Sequence, residues 1–171
     1  MIKIIPTHPS FRRIIALLAV FWLCSAPAAA MTDMQGKALH VNQLIGKGKW
    51  TVFEVWVSTC HVCQSTVHYM NEFKARFPAA DVYGISLDGA ERKQAAENFI
   101  QRHRLNFPNL LSDGSEFDTF LYRTTGEFLV GTPTLMVYNP QGQLAAVQPG
   151  VVTPQELITF IRDEEKRAAN P

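Results

Sequence analysis

The chain is poor in cysteine: it has three in 171 residues, Cys24, Cys60 and Cys63. It is also poor in charge of any one sign, with 16 Lys and Arg against 15 Asp and Glu and a formal net charge of +1. No basic block points to nucleic acid and no acidic tail to a disordered segment. Internal repeats and low-complexity tracts are missing as well. The main apolar run, Ile14 to Leu23, is ten residues long, short of the roughly 20 that a membrane-spanning helix needs. What is present, 47% hydrophobic and 18% charged residues, suits one globular domain with a targeting segment.

That segment is residues 1–30. Lys3, Arg12 and Arg13 form a positive start without a carboxylate, the apolar run follows, and Ala26-Pro27-Ala28-Ala29-Ala30 offers small residues for cleavage. This is the layout of a secretory signal peptide cut after Ala30 or two residues earlier. The alternative is an uncleaved anchor, the one way in which the chain would meet a membrane. Phe21-Trp22-Leu23 precedes Cys24, where a lipidated cysteine would follow a small residue. Cleavage turns 16 Lys and Arg against 15 Asp and Glu into 13 against 15, a net charge near −2. It leaves residues 31–171 as the mature domain, exported to an oxidising compartment with one dithiol, Cys60 and Cys63.

A structural disulfide gains most from closing a long loop. Cys60 and Cys63 would close one of two intervening residues, which favours a working pair over a staple. Thr51 to Val57 and the preceding Trp50 read as a strand buried on both faces. From Cys60 to Phe77 the spacing turns helical, with Val62, Val67, Met70, Phe73 and Phe77 as the apolar stripe. Cys60 then falls at a helix N-terminus, where free N–H groups and the helix dipole favour a thiolate. Cys63, one turn on, shares its face and is expected to be the buried resolving thiol. His61, if protonated, would stabilise the Cys60 thiolate further; a solvated surface histidine is the plain alternative. Glu54 sits in the strand on the same face as Val52 and Trp56. A carboxylate buried there has a raised pKa unless paired and could take the proton from Cys63; an exposed strand end or an ion pair is the alternative.

Further along, Val82 to Leu87 reads as a second buried strand, and Asp88 with Glu91 as a capping box opening a helix to about Arg104. Phe107 to Leu111 is extended around Pro108, and Glu116 to Tyr122 is a short helix. Thr134 to Tyr138 and Gln143 to Val147 form a hairpin about the turn Asn139-Pro140-Gln141-Gly142. Thr153-Pro154-Gln155-Glu156 starts a last helix. The order predicts an α/β fold, a mixed central sheet with helices on both faces, preceded by an N-terminal extension.

Trp56 to Cys63, Val82 to Asp88, Gly131-Thr132-Pro133-Thr134 and Tyr138 to Gly142 together resemble the thioredoxin fold, and more narrowly the TlpA/ResA-like periplasmic thiol–disulfide oxidoreductases. The resemblance implies Cys60 and Cys63 as a redox-active disulfide with no other cofactor, Glu54 as the buried acid, and Pro133 as a cis-proline against the disulfide. It implies that Thr132, through its backbone, binds an extended protein substrate, with Trp56 and His61 beside it. A reductase of protein disulfides in the periplasm follows, a monomer drawing electrons from a membrane protein of the DsbD type. Disulfide-forming oxidase or isomerase is the alternative within the class. Periplasmic copper or zinc binding by Cys60, Cys63 and His68 is the alternative outside it. The sequence departs from the family at Thr59, where a second Trp is usual, at Thr66, where a Glu is usual, and at His68, where a helix-kinking Pro is usual. The last departure predicts a straighter active-site helix.

Overall fold

A computed structural model of the chain describes residues 31–170. The expected leader over residues 1–30, with Cys24, lies outside the described residues, as does Pro171. Seven strands form one sheet: β1 (Met31–Asp33), β2 (Ala38–Leu39), β3 (Thr51–Trp56), β4 (Asp81–Ser86), β5 (Asn109–Leu111), β6 (Thr134–Tyr138) and β7 (Leu144–Pro149). Their order is β2-β1-β5-β4-β3-β6-β7. β3, β4 and β5 run parallel, and the remaining pairs are antiparallel. The sheet is therefore mixed, with a parallel centre where the helical crossovers lie.

Among the described residues five α-helices accompany it: α1 (His61–Thr66), α2 (His68–Arg76), α3 (Lys93–Arg102), α4 (Gly114–Thr125) and α5 (Pro154–Ala169). Alternation along β3 assigns them to two faces. Val52 packs with Met70 and Phe73 of α2 and Leu157 and Ile161 of α5. Trp56, on the same face, packs with Cys63, Val67 and Phe99 of α3. Phe53 and Val55 point the other way, into a core with Phe117 and Leu121 of α4. Thr153 caps α5 with the expected reciprocal pair, its side chain accepting from the Glu156 N–H while Glu156 accepts from the Thr153 N–H. This is the thioredoxin-like fold.

Three readings need correction, and one strand went unread. The active-site helix is not straight: it breaks at Val67 although no proline follows. Ser65 and Thr66 hydroxyls donate to the Val62 carbonyl at 2.8 and 2.9 Å, and such back-bonding bends helices. The Met70 N–H then reaches the Val67 carbonyl, an i to i+3 bond, at 3.2 Å. Asp88 caps nothing; a 3₁₀ turn at Ala90–Arg92 precedes α3, and the Asp88 carboxylate turns back to Ser58 and Ser86. The short helix is longer than Glu116–Tyr122, because Asp113 caps its start and Gly126 (φ 81°) ends it in the left-handed conformation. β1, three residues in a polar stretch, had no pattern to announce it and is held by pairing with β5.

Candidate active site

β3 ends at Trp56, and the chain turns through Val57–Thr59 so that Cys60 becomes the N-cap of α1. A hydrogen bond from the Cys60 N–H to the Val57 carbonyl, 3.0 Å, closes that turn. Cys60 and Cys63 are disulfide-bonded, with Cα atoms 5.2 Å apart. Cys60 is partly exposed and Cys63 fully buried. The Cys63 N–H donates to Cys60 Sγ at 3.0 Å. On the other side, the Thr132 carbonyl oxygen lies 3.4 Å from the same sulfur. The Thr132–Pro133 peptide bond is cis. Pro133 is buried, and its carbonyl accepts from the Gly150 N–H at 2.8 Å. The loop opening β6 is thus tied to the end of β7 and faces the N-terminus of α1.

Glu54 lies in the middle of β3, between Gly84 of β4 and Leu135 of β6. It is 4% exposed, and its Oε2 has no hydrogen-bond partner. Burial pushes its pKa from 4.5 up to about 8, because an unpaired charge there would lose its hydration. Neither the strand-end nor the ion-pair alternative describes it. Glu54 lines a narrow cleft together with Thr66, Tyr69, Pro133 and Val151. The carboxyl and the proline loop therefore share one space. A carboxyl in that position exchanges its proton near pH 8, the protonated form giving it up and the carboxylate form accepting one.

Trp56 is a correction. It is fully buried, stacks on Phe99 with ring centroids 4.3 Å apart, and donates its indole N–H to Asn109 Oδ1 at 3.2 Å. With its ring face and N–H both taken, it offers nothing to a substrate and instead supports Cys63 from below. His61 and Val62 are exposed at the start of α1. Val130, next in sequence to the Gly131–Pro133 loop, and Val151, which lines the Glu54 cleft, are exposed aliphatics. His68 is exposed and set edge-on to Tyr69. Among the described residues no group of three or more His, Cys, Asp or Glu side chains is placed to hold a metal ion.

The sequence reading missed two supports. Asn109, the buried polar residue that opens β5, anchors Trp56. Gly84 makes room for that contact, since a Cβ there would overlap Asn109 Oδ1 and crowd Trp56 Nε1.

Residues 24–147 match the AhpC/TSA family. The chain belongs to that family. Among curated relatives, the thiol–disulfide oxidoreductase ResA of Bacillus thuringiensis subsp. konkukian (strain 97-27) is 28% identical over 137 residues, 80% of this chain and 75% of the relative. ResA of Bacillus subtilis (strain 168) is 29% identical over 130 residues, 75% of this chain and 67% of the relative. Among solved structures, StoA from Bacillus subtilis superposes with a TM-score of 0.60 at 20% identity, covering 77% of this chain and 94% of StoA. A secreted disulfide oxidoreductase of Mycobacterium tuberculosis homologous to E. coli DsbE gives 0.61 at 20% identity, over 78% and 94% of the two chains. At these identities the solved structures speak to the fold, which is thioredoxin-like. The family's curated relatives carry the thiol–disulfide oxidoreductase activity by name.

Proposed function

We propose that this chain is an exported thiol–disulfide oxidoreductase that reduces disulfides in protein substrates. The observation that carries the reading is the asymmetry of the dithiol: Cys60 partly exposed at a helix N-cap, Cys63 buried behind it. The reduced enzyme attacks a substrate disulfide with the Cys60 thiolate. One substrate sulfur joins Cys60 in a mixed disulfide and the other leaves as a thiolate. Glu54 in its carboxylate form, reached near its pKa of about 8, takes the proton from Cys63, and the Cys63 thiolate attacks Cys60 Sγ. The Cys60–Cys63 disulfide forms, the second substrate thiol departs, and two electrons have passed to the substrate. A membrane donor of the DsbD type restores the dithiol. The Thr132 backbone pairs with the extended substrate segment, and His61 and Val62 border it.

Reduction is favoured over oxidation by what surrounds Cys60 Sγ. A strongly oxidising pair needs its thiolate stabilised. Here the sulfur receives one N–H, at the start of a six-residue helix, and faces the Thr132 carbonyl dipole. That is modest stabilisation opposed by a partial negative charge, and it supports a low reduction potential.

The roles are tested by trapping. Cys63→Ser, expressed with its leader, accumulates mixed disulfides visible on non-reducing gels, and Cys60→Ser does not. Equal trapping by both variants contradicts the assignment of attacker and resolver.

A further inference from the structure

Asp88 stands just past the end of β4, and its side chain is 0% exposed although it carries a charge. A buried carboxylate is retained only where its oxygens are satisfied. Its Oδ2 accepts from the Ser58 N–H at 2.9 Å and from Ser86 Oγ at 2.8 Å. Its Oδ1 accepts from Ser58 Oγ at 2.7 Å and lies 3.3 Å from Arg92 Nη2. Two of these bonds grip one residue, Ser58, through both its backbone and its side chain, which fixes orientation as well as position. The Ser58 carbonyl is taken from the other side by Gln64 Nε2 of α1, at 3.0 Å.

The geometry follows the sheet. Trp56 and Ser86 are partners in the parallel β3–β4 ladder, and the Leu87 N–H donates to the Trp56 carbonyl at 2.8 Å. Two residues further on, backbone pairing has ended, and the Asp88 side chain bonds Ser58 in its place. Ser58 is two positions before Cys60.

We propose that Asp88 is a positioning residue for the dithiol: by clamping Ser58 it holds the Ser58–Cys60 turn so that Cys60 Sγ stays on the Cys63 N–H. The inference rests on the dithiol-exchange reading above. It makes a prediction of opposite sign to that from charge alone. As a bare negative charge, Asp88 would disfavour the Cys60 thiolate, and Asp88→Asn would make the thiol more acidic. As a clamp, Asp88 keeps the thiolate on its donor, and the same substitution makes the thiol less acidic, since an amide replaces one acceptor with a donor.

The experiment uses the reduced full-length protein and Asp88→Asn, with Ser58→Ala as a second variant that keeps the Asp88 charge and removes the Ser58 hydroxyl, with its 2.7 Å bond to Asp88 and the 3.2 Å bond it accepts from Arg92. Thiolate absorbance in the far ultraviolet gives the Cys60 titration midpoint, and reaction with an aromatic disulfide reagent, dithiobis(nitrobenzoic acid), gives the rate of attack. The expected result is a higher midpoint and an attack about three- to tenfold slower at neutral pH in Asp88→Asn, with a smaller change of the same sign in Ser58→Ala. A role confined to folding lowers the melting temperature and moves neither quantity. A folded Asp88→Asn whose midpoint is unchanged or lower overturns the proposal; if that variant does not fold, an unchanged midpoint and rate in Ser58→Ala overturns it. Failure of the wild-type protein to reduce protein disulfides would strike the functional reading, while the midpoints would still decide the clamp.

Discussion

Replacing Glu54 by glutamine should make the protein more stable at pH 8 and leave it nearly unchanged at pH 4. The folded chain holds the Glu54 proton to about pH 8, whereas the unfolded chain releases it near 4.5. Folding is therefore most favoured below pH 4.5, becomes less favoured as pH rises from 4.5 to about 8, and is level above that. The slope in this window is on the order of 1 kcal/mol per pH unit, and the accumulated penalty is at most roughly 5 kcal/mol. The glutamine amide has no proton to lose, so the stability difference between variant and wild type widens across the same window. The assay is urea unfolding of both oxidised proteins at pH 4, 5, 6, 7 and 8, with the difference plotted against pH. Groups such as Asp113 and Glu156, whose pKa values are lowered by hydrogen bonds at helix starts, are common to both proteins and cancel. A flat difference would refute the buried, unpaired carboxyl and with it the proton acceptor assigned to Cys63.

Gly84→Ala should destabilise the protein by about 1–3 kcal/mol, because its methyl group collides with the Trp56–Asn109 hydrogen bond; thermal unfolding measures this, and an unchanged melting temperature contradicts the close packing. Thr153→Ala removes the α5 cap and should cost about 1 kcal/mol in urea unfolding.

Much of the fold was legible because its signals were local. The continuous apolar strand before Cys60, the strand over Thr134–Tyr138 and the capping box at Thr153 each carry their own pattern. Glu54 was legible for the same reason: it stands inside a strand whose apolar run marks both faces as buried, alternation puts it on the face of Val52 and Trp56, and nothing beside it in sequence could neutralise it. What failed depended on contacts across the sheet. Asp88 has the spacing of a helix cap, but a neighbouring strand end brings Ser58 to it, and two bonds to that residue outweigh one cap. Trp56 beside the cysteines has the look of a substrate contact, but Asn109, 53 residues away, holds its indole. The break at Val67 follows from the hydroxyls of Ser65 and Thr66, whose effect on the backbone depends on their rotamers.

The central claim is that this dithiol gives electrons to protein disulfides, and the reduction potential of the Cys60–Cys63 pair tests it most directly. Equilibration of residues 31–171 with glutathione or dithiothreitol buffers should give a value near that of thioredoxin, about −270 mV. A value near that of DsbA, about −120 mV, would contradict the account and make the protein an oxidant.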